Sequence, residues 1–244
     1  MMIGKKQVTS FLTGAAAFLA LATVALATDG FTFFGDAETY SPGYNSPTAV
    51  QLRSDPTPGW GGIDFDVAAG TTFADIDTLS TDYNFTEASC GGGSPRFQIN
   101  LDTDNNGSFD GNAFVYIGPP PNYTLCPGGV WQNTTNLADP ADFVDTGQVG
   151  GTFYDTFATA QLNYGSATVL GIQLVVDANW FFGGANQTVL VDNVVINNST
   201  YTFENADSCK KDGWQSFTSD PGPFKNQGDC VSYFSTGDKN TANP

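Results

Sequence analysis

The run Asp102-Thr103-Asp104-Asn105-Asn106-Gly107-Ser108-Phe109-Asp110 places oxygen side chains at positions 1, 3, 5 and 9 of a loop, with glycine at position 6. Hard Ca²⁺ prefers several oxygens gathered around a sharply turned backbone, and this spacing matches the first part of a Ca²⁺-loop pattern. Asp102, Asp104, Asn106 and Asp110 are therefore the candidate calcium ligands, for an ion that steadies a loop rather than one that catalyses. Position 12, where the pattern asks for a bidentate Glu, is Ala113. The residues after it, Ala113-Phe114-Val115-Tyr116-Ile117, read as strand. The competing reading is thus a polar hairpin loop joining Arg96–Leu101 to Ala113–Gly118.

Two other residue sets bear on chemistry. Asp64/Asp66 and Asp75/Asp77 stand at i, i+2, which puts both carboxylates of each pair on one face of a strand, as glycoside hydrolysis would need. In so acidic a chain, same-face aspartates also read as a solvated surface. Trp60, Trp131 and Trp180 lie beside glycine-rich turns, where a flat ring can stack on a sugar face while nearby Asp and Asn hydrogen-bond to its hydroxyls. Trp131 and Trp180 are the candidate ligand-stacking residues, and filling of the ends of the fold is the plainer alternative for each.

Composition removes whole classes of function. The 244 residues hold 8 Lys+Arg against 25 Asp+Glu, a formal net charge of −17, and no histidine. No basic face exists to neutralise phosphates, so nucleic acid is excluded as a partner. Without histidine, Ser-His-Asp and Cys-His mechanisms and His-containing zinc sites are excluded as well.

The first residues carry Lys5 and Lys6, then an apolar stretch from about Phe11 to Leu26, then Ala25-Leu26-Ala27. These are the parts of a secretory signal in order, so residues 1–27 are expected to be removed, leaving no membrane span and an extracellular product. In that compartment Cys90, Cys126, Cys209 and Cys230 are expected to form two disulfides. Spacing leaves three connectivities open. Composition favours Cys90–Cys126 with Cys209–Cys230, because both arginines lie among the acids before Cys209, whereas four lysines and four aspartates balance after it. The expected organisation is a β domain over 28–207 and a disulfide-stapled segment over 208–244, whose lysines suggest docking on the acidic body.

These residues must be positioned by strands. Short runs rich in Val, Ile, Phe, Tyr and Thr alternate with Gly, Pro, Asn and Asp. Expected strands are Thr48–Arg53, Gly62–Val67, Phe73–Thr78, Thr81–Phe85, Arg96–Leu101, Ala113–Gly118, Thr168–Asp177, Gln187–Asn197 and Thr200–Glu204. Between Thr152 and Leu162, Phe153, Phe157 and Ala160 recur at helical spacing, which predicts a short amphipathic helix. The fold class expected is mostly β, a two-sheet antiparallel jelly-roll sandwich with one short helix and a small disulfide-closed appendage.

Val189-Leu190-Val191-Asp192-Asn193-Val194-Val195-Ile196-Asn197, followed by Tyr201-Thr202-Phe203-Glu204, resembles the closing strands of secreted jelly-roll modules of the carbohydrate-binding and galactose-binding-like kinds. Cys209 to Phe217 with Phe224 to Phe234 resembles a C-terminal segment of secreted bacterial proteins of unassigned function. Neither resemblance transfers a ligand residue. With the exposed-aromatic argument, the first implies a secreted, non-enzymatic module binding glycan or another envelope component at the cell surface. The alternatives are a purely structural or adhesive acidic surface protein and a carboxylate-dependent glycoside hydrolase.

Overall fold

Period-two alternation decides which face of each strand is buried. Ile63 and Phe65 are buried with Asp64 turned outward, and Phe97, Ile99 and Leu101 are buried against outward Gln98 and Asn100. A computed structural model describes residues 30–218 and 221–236; the expected leader and its cleavage point after Ala27 lie outside the described residues. The strands are β1 (Phe31–Tyr40), β2 (Ala49–Ser54), β3 (Gly61–Phe65), β4 (Leu79–Glu87), β5 (Arg96–Asp102), β6 (Gly111–Tyr116), β7 (Gln132–Asn133), β8 (Phe143–Val144), β9 (Asp155–Thr156), β10 (Thr168–Val176), β11 (Gln187–Ile196) and β12 (Ser199–Tyr201). The helices are α1 (Phe157–Tyr164) and α2 (Gln227–Thr236). No described helix is long and apolar enough to cross a membrane.

The chain is mostly β, and its main sheet is antiparallel and curled. Its strand order is β6-β5-β10-β3-β1-β2-β11-β4-β7, with β12 beside β11. The strand β1, absent from the expected set, is the seam. Its residues Phe31–Gly35 pair with β3 and its residues Asp36–Tyr40 pair with β2. The switch falls at Gly35, which sits at φ +60°, a conformation that costs glycine little. Both halves of the curl face one core. Phe97, Ile99 and Leu174 come from one side of the seam, and Leu52, Phe85 and Val191 from the other.

Two expectations for local structure need correcting. Phe73–Asp75 is a 3-10 turn rather than part of a strand, because Asp75 turns back to accept from the Thr72 backbone N–H and hydroxyl, each at 2.8 Å. Asp75 and Asp77 therefore do not share a strand face. The helix begins at Phe157, where Thr156 accepts from the Thr159 N–H as the cap. Phe157 and Ala160 are buried as the spacing requires, but Phe153 lies ahead of the helix and is 48% exposed.

Cys90 is bonded to Cys126, joining the end of β4 to the segment after β6, and Cys209 is bonded to Cys230. The second bond sits in a separate small core with Phe217, against which Trp214, Phe224, Val231 and Phe234 pack. This segment carries a second helix, α2, where one helix was expected for the chain. It meets the body at the β1–β2 connection through the Ser208 and Thr48 hydroxyls, 3.1 Å apart, and through the Thr218 N–H, which donates to the Asn45 carbonyl at 3.3 Å. The lysine Lys210 pairs with Asp207 just ahead of Cys209, not with an acid of the sheet.

Candidate functional site

The two ends of the sheet order are β6 and β7, and residues of β6, of the segments after β6 and β7, and of β8 line a cleft of about 210 Å³. One wall is Val115 and Tyr116 of β6, the other is Thr134, Thr135 and Leu137 just past β7, and Asp142 and Phe143 stand at the mouth. Rings gather along it. Tyr116 stacks on Phe153 with centroids 5.5 Å apart, Phe153 meets Tyr154 edge-on at 4.6 Å, and Tyr154 meets Phe143 edge-on at 5.7 Å. Tyr123, 5.2 Å from Tyr116, closes the inner end. Phe143, Phe153 and Tyr154 keep 38%, 48% and 44% of their surface in solvent.

Hydrogen bonds hold these rings in place. The Asp155 carboxylate accepts from the Thr152 N–H at 3.1 Å, from the Thr152 hydroxyl at 2.7 Å and from the Thr146 hydroxyl. That fastens the turn carrying Phe153 and Tyr154. The Tyr154 hydroxyl donates to the Pro121 carbonyl, and the Tyr116 hydroxyl donates to Asp145 at 2.7 Å. Gly118, behind Tyr123, has no room for a side chain, since a Cβ there would lie 2.8 Å from the Cys90 sulfur.

The electrostatics of the cleft are one-sided. Burial, followed by the hydrogen bond to Asp145, raises the Tyr116 phenol well above its ordinary range. Burial, then Tyr154 and the acids Asp142 and Asp145, pushes Tyr123 up to about 12. Both phenols thus stay neutral, with the Tyr116 proton committed to Asp145. Partial burial, then neighbouring Asp139, raises the Asp142 carboxyl. Among the described residues no basic side chain lines the cleft. The nearest cation in the network, Arg96, is held bidentately by Asp177 at 2.8 Å for each bond and lies 4.9 Å over the Phe114 ring. Such a surface can stack a flat apolar face and accept hydrogen bonds from hydroxyls beside it.

The residues singled out in the sequence fall elsewhere. Trp131 is half-buried just ahead of β7, its ring 5.5 Å from Tyr44 on the β1–β2 connection. Trp180 follows β10 and is 67% exposed, edge-on to Phe181 at 5.8 Å. Its loop is tied to the loop bearing Trp60, which is 50% exposed, because the Asn179 side chain donates to the Asp55 carbonyl at 3.0 Å. Among the described residues the Trp131 and Trp180 rings do not touch each other.

In the Asp102–Asp110 loop, carboxylate oxygens of Asp102, Asp104 and Asp110 come within 4.8 Å of one another, with Asp102 buried. The loop also caps itself. Asp102 accepts from the Asn106 N–H at 3.1 Å and the Gly107 N–H at 2.7 Å, and Asp110 accepts from the Thr103 N–H and hydroxyl. The Asn106 side chain accepts from the Ser108 N–H at 2.8 Å. The Thr103 bonds hold the Asp110 carboxyl below the usual range.

A second acidic feature, not foreseen, lies under the β1–β2 connection. Asp192 on β11 is fully buried and accepts from the Tyr44 N–H at 2.8 Å and the Ser46 hydroxyl at 3.0 Å. Both carboxylate oxygens of Glu204 are buried beside it without a well-formed hydrogen bond, although the Ser46 and Thr202 hydroxyls stand close enough to favour its anion. Burial, then the Glu204 charge, raises Asp192 to about 7.

The cleft residues escaped the sequence because no local motif joins them. Tyr116 and Phe153 belong to different segments that meet only when the segment around Asp145 packs along β6. The usable signal was the density of aromatic residues between Tyr116 and Phe157 in a stretch poor in long strands.

No family model and no curated protein matches the chain. Among solved structures, one titled "Structural analysis of an exo-beta-agarase" is similar over 72% of this chain, with a TM-score of 0.35 and 14% sequence identity. This chain spans about a quarter of that protein's length, 24%.

Proposed function

We propose that this is a secreted, non-enzymatic module of jelly-roll type that binds glycan at the cell surface or in the medium through the cleft between β6 and β7. The observation that carries the reading is the run of solvent-open rings from Phe143, which lines the cleft with Asp142, to Tyr154 and Phe153 adjoining it. The Asp142 carboxylate is partly desolvated and takes no hydrogen bond from a donor among the described residues. A pyranose presents an apolar face and a rim of hydroxyls, and this surface answers both. Trp131 on the β7 side and Trp180 at the β10 end are further stacking surfaces for a long chain. The disulfides fit an oxidising compartment.

The test is retention on a panel of soluble polysaccharides by affinity electrophoresis, followed by calorimetry on whichever binds. Phe153→Ala is expected to weaken binding about tenfold, the equivalent of ~1.4 kcal/mol of lost stacking. Trp180→Ala reports separately on the outlying surface. Retention on no polysaccharide, or unchanged affinity in both Phe153→Ala and Tyr154→Ala, rejects the cleft as a glycan site.

The loop at Asp102 supports a structural calcium ion as a second element of the reading, because three carboxylates converge there from one short turn. Millimolar Ca²⁺ is expected to raise the melting temperature by a few degrees, and Asp104→Asn to remove the rise. A melting temperature indifferent to Ca²⁺ and to chelator would leave the loop as a self-capped hairpin.

A further inference from the structure

We infer that the cleft selects sugars bearing a protonated amine over their acetylated counterparts and rejects uronates and sulfated sugars; the inference rests on the glycan reading above. The argument is one of charge complementarity. Asp142 stands at the mouth and Asp145 behind the Tyr116 hydroxyl, with Asp139 near enough to act on Asp142. An ammonium group at the mouth meets the Asp142 carboxylate and the neighbouring Phe143 ring, to whose face cations are attracted.

Among the described residues no basic side chain lines the cleft, and Arg96, whose charge reaches Tyr116 on its wall, is itself engaged by an acid. Among the described residues before Cys209 the cations are Arg53 and Arg96. Arg53 is engaged by Asp36 at 3.7 Å and Glu38 at 2.5 Å, and Arg96 by Asp177. An anionic sugar would have to bring its carboxylate or sulfate beside Asp142 with no basic group to receive it. That is the arrangement by which a site excludes the wrong ligand rather than merely failing to attract it.

The test compares glucosamine, N-acetylglucosamine and galacturonic acid oligomers of equal length by calorimetry on the full chain, at a pH where the amine is protonated. The amine-bearing oligomer is expected to bind about tenfold more tightly than the acetylated one at low salt. That advantage should shrink to about twofold in ~0.5 M salt, where the Debye length falls to a few ångströms. Asp142→Asn should erase the advantage, bringing the amine-bearing oligomer to the affinity that the same variant shows for the acetylated one. Asp66→Asn, an exposed acid outside the cleft, should leave the advantage intact. Equal affinities for amine and acetylated oligomers, binding of the uronate, or equal effects of Asp142→Asn and Asp66→Asn would each overturn the inference while the glycan reading stood. Binding of none of the three, together with an empty polysaccharide panel, removes the glycan reading itself.

Discussion

Between pH 5 and pH 8 the melting temperature is expected to fall by on the order of 10 °C, and Asp192→Asn is expected to remove most of that slope. The sign follows from the direction of the shift. A carboxyl raised from 3.8 to about 7 holds its proton more tightly in the folded chain than in the unfolded one. Its contribution is therefore complete below the unfolded value and is lost as pH rises through the folded value. A displacement of that size corresponds at most to about 4 kcal/mol, at ~1.4 kcal/mol per pKa unit.

The cause is local. Asp192 is buried, and its companion Glu204 brings a second negative charge into the same site, with no cation opposite among the described residues. The Tyr44 and Ser46 donors favour the anion but do not offset burial. The side-chain amide introduced by Asp192→Asn can still present a carbonyl oxygen to both but loses the Asn193 N–H bond that the other carboxylate oxygen accepts at 2.8 Å, so the variant should be less stable at every pH while its titration is gone. Glu204→Gln should remove part of the slope by removing the neighbouring charge. Acids held low by donors, such as Asp75, Asp110 and Asp155, act in the opposite sense and lose their contribution as pH falls below the unfolded carboxylate range. Stability should thus peak near pH 5. The measurement is a thermal melt at constant ionic strength with chelator present, so that no divalent cation substitutes for the proton. A melting temperature that is flat or rises from pH 5 to 8, or an Asp192→Asn slope equal to the parent's, would sink the argument.

The same site links stability to shape. Tyr44 both donates to Asp192 through its N–H and packs its ring, tilted, against Trp131, and Asn45 and Thr48 receive the C-terminal segment.

What could be read from the residues alone was what is written locally. Ile63/Phe65, Phe97/Ile99/Leu101 and the apolar run near Val176 each announce a strand, because alternation or continuity survives over five or more residues. The Asp102 loop is legible for the same reason: its acids are contiguous, so the turn that gathers them is part of the motif. The strand β1 was not legible. Gly35 interrupts it, and it passes from Phe31, Phe33 and Phe34 to Asp36 and Glu38, so neither half carries a pattern of useful length. The cleft was illegible too, since its residues come from separate segments that only the completed fold brings together. The burial of Asp192 and Glu204 was not legible either, because burial on both faces of β11 depends on what packs over it.

Gly35→Ala is expected to destabilise the fold by at least about 3 kcal/mol, roughly 10 °C in melting temperature. Two penalties coincide there. The φ of +60° costs a non-glycine residue about 1 kcal/mol. Beyond that, the added Cβ would lie 2.3 Å from the Trp60 carbonyl oxygen and 2.7 Å from Trp60 Cδ1. The carbonyl cannot simply retreat, because it accepts the Asp36 N–H at 2.9 Å, the bond beside the point where β1 changes partner from β3 to β2. Relieving the overlap therefore means opening the seam that joins the two halves of the core. Gly70→Ala separates the two penalties. Its φ is +86°, but an added Cβ meets nothing within 4 Å, so it should cost only about 1 kcal/mol. Chemical denaturation of both variants, with tryptophan fluorescence reporting on Trp60, measures the difference. If the two substitutions cost the same, backbone strain alone explains both, and Gly35 is not the hinge on which the curl turns.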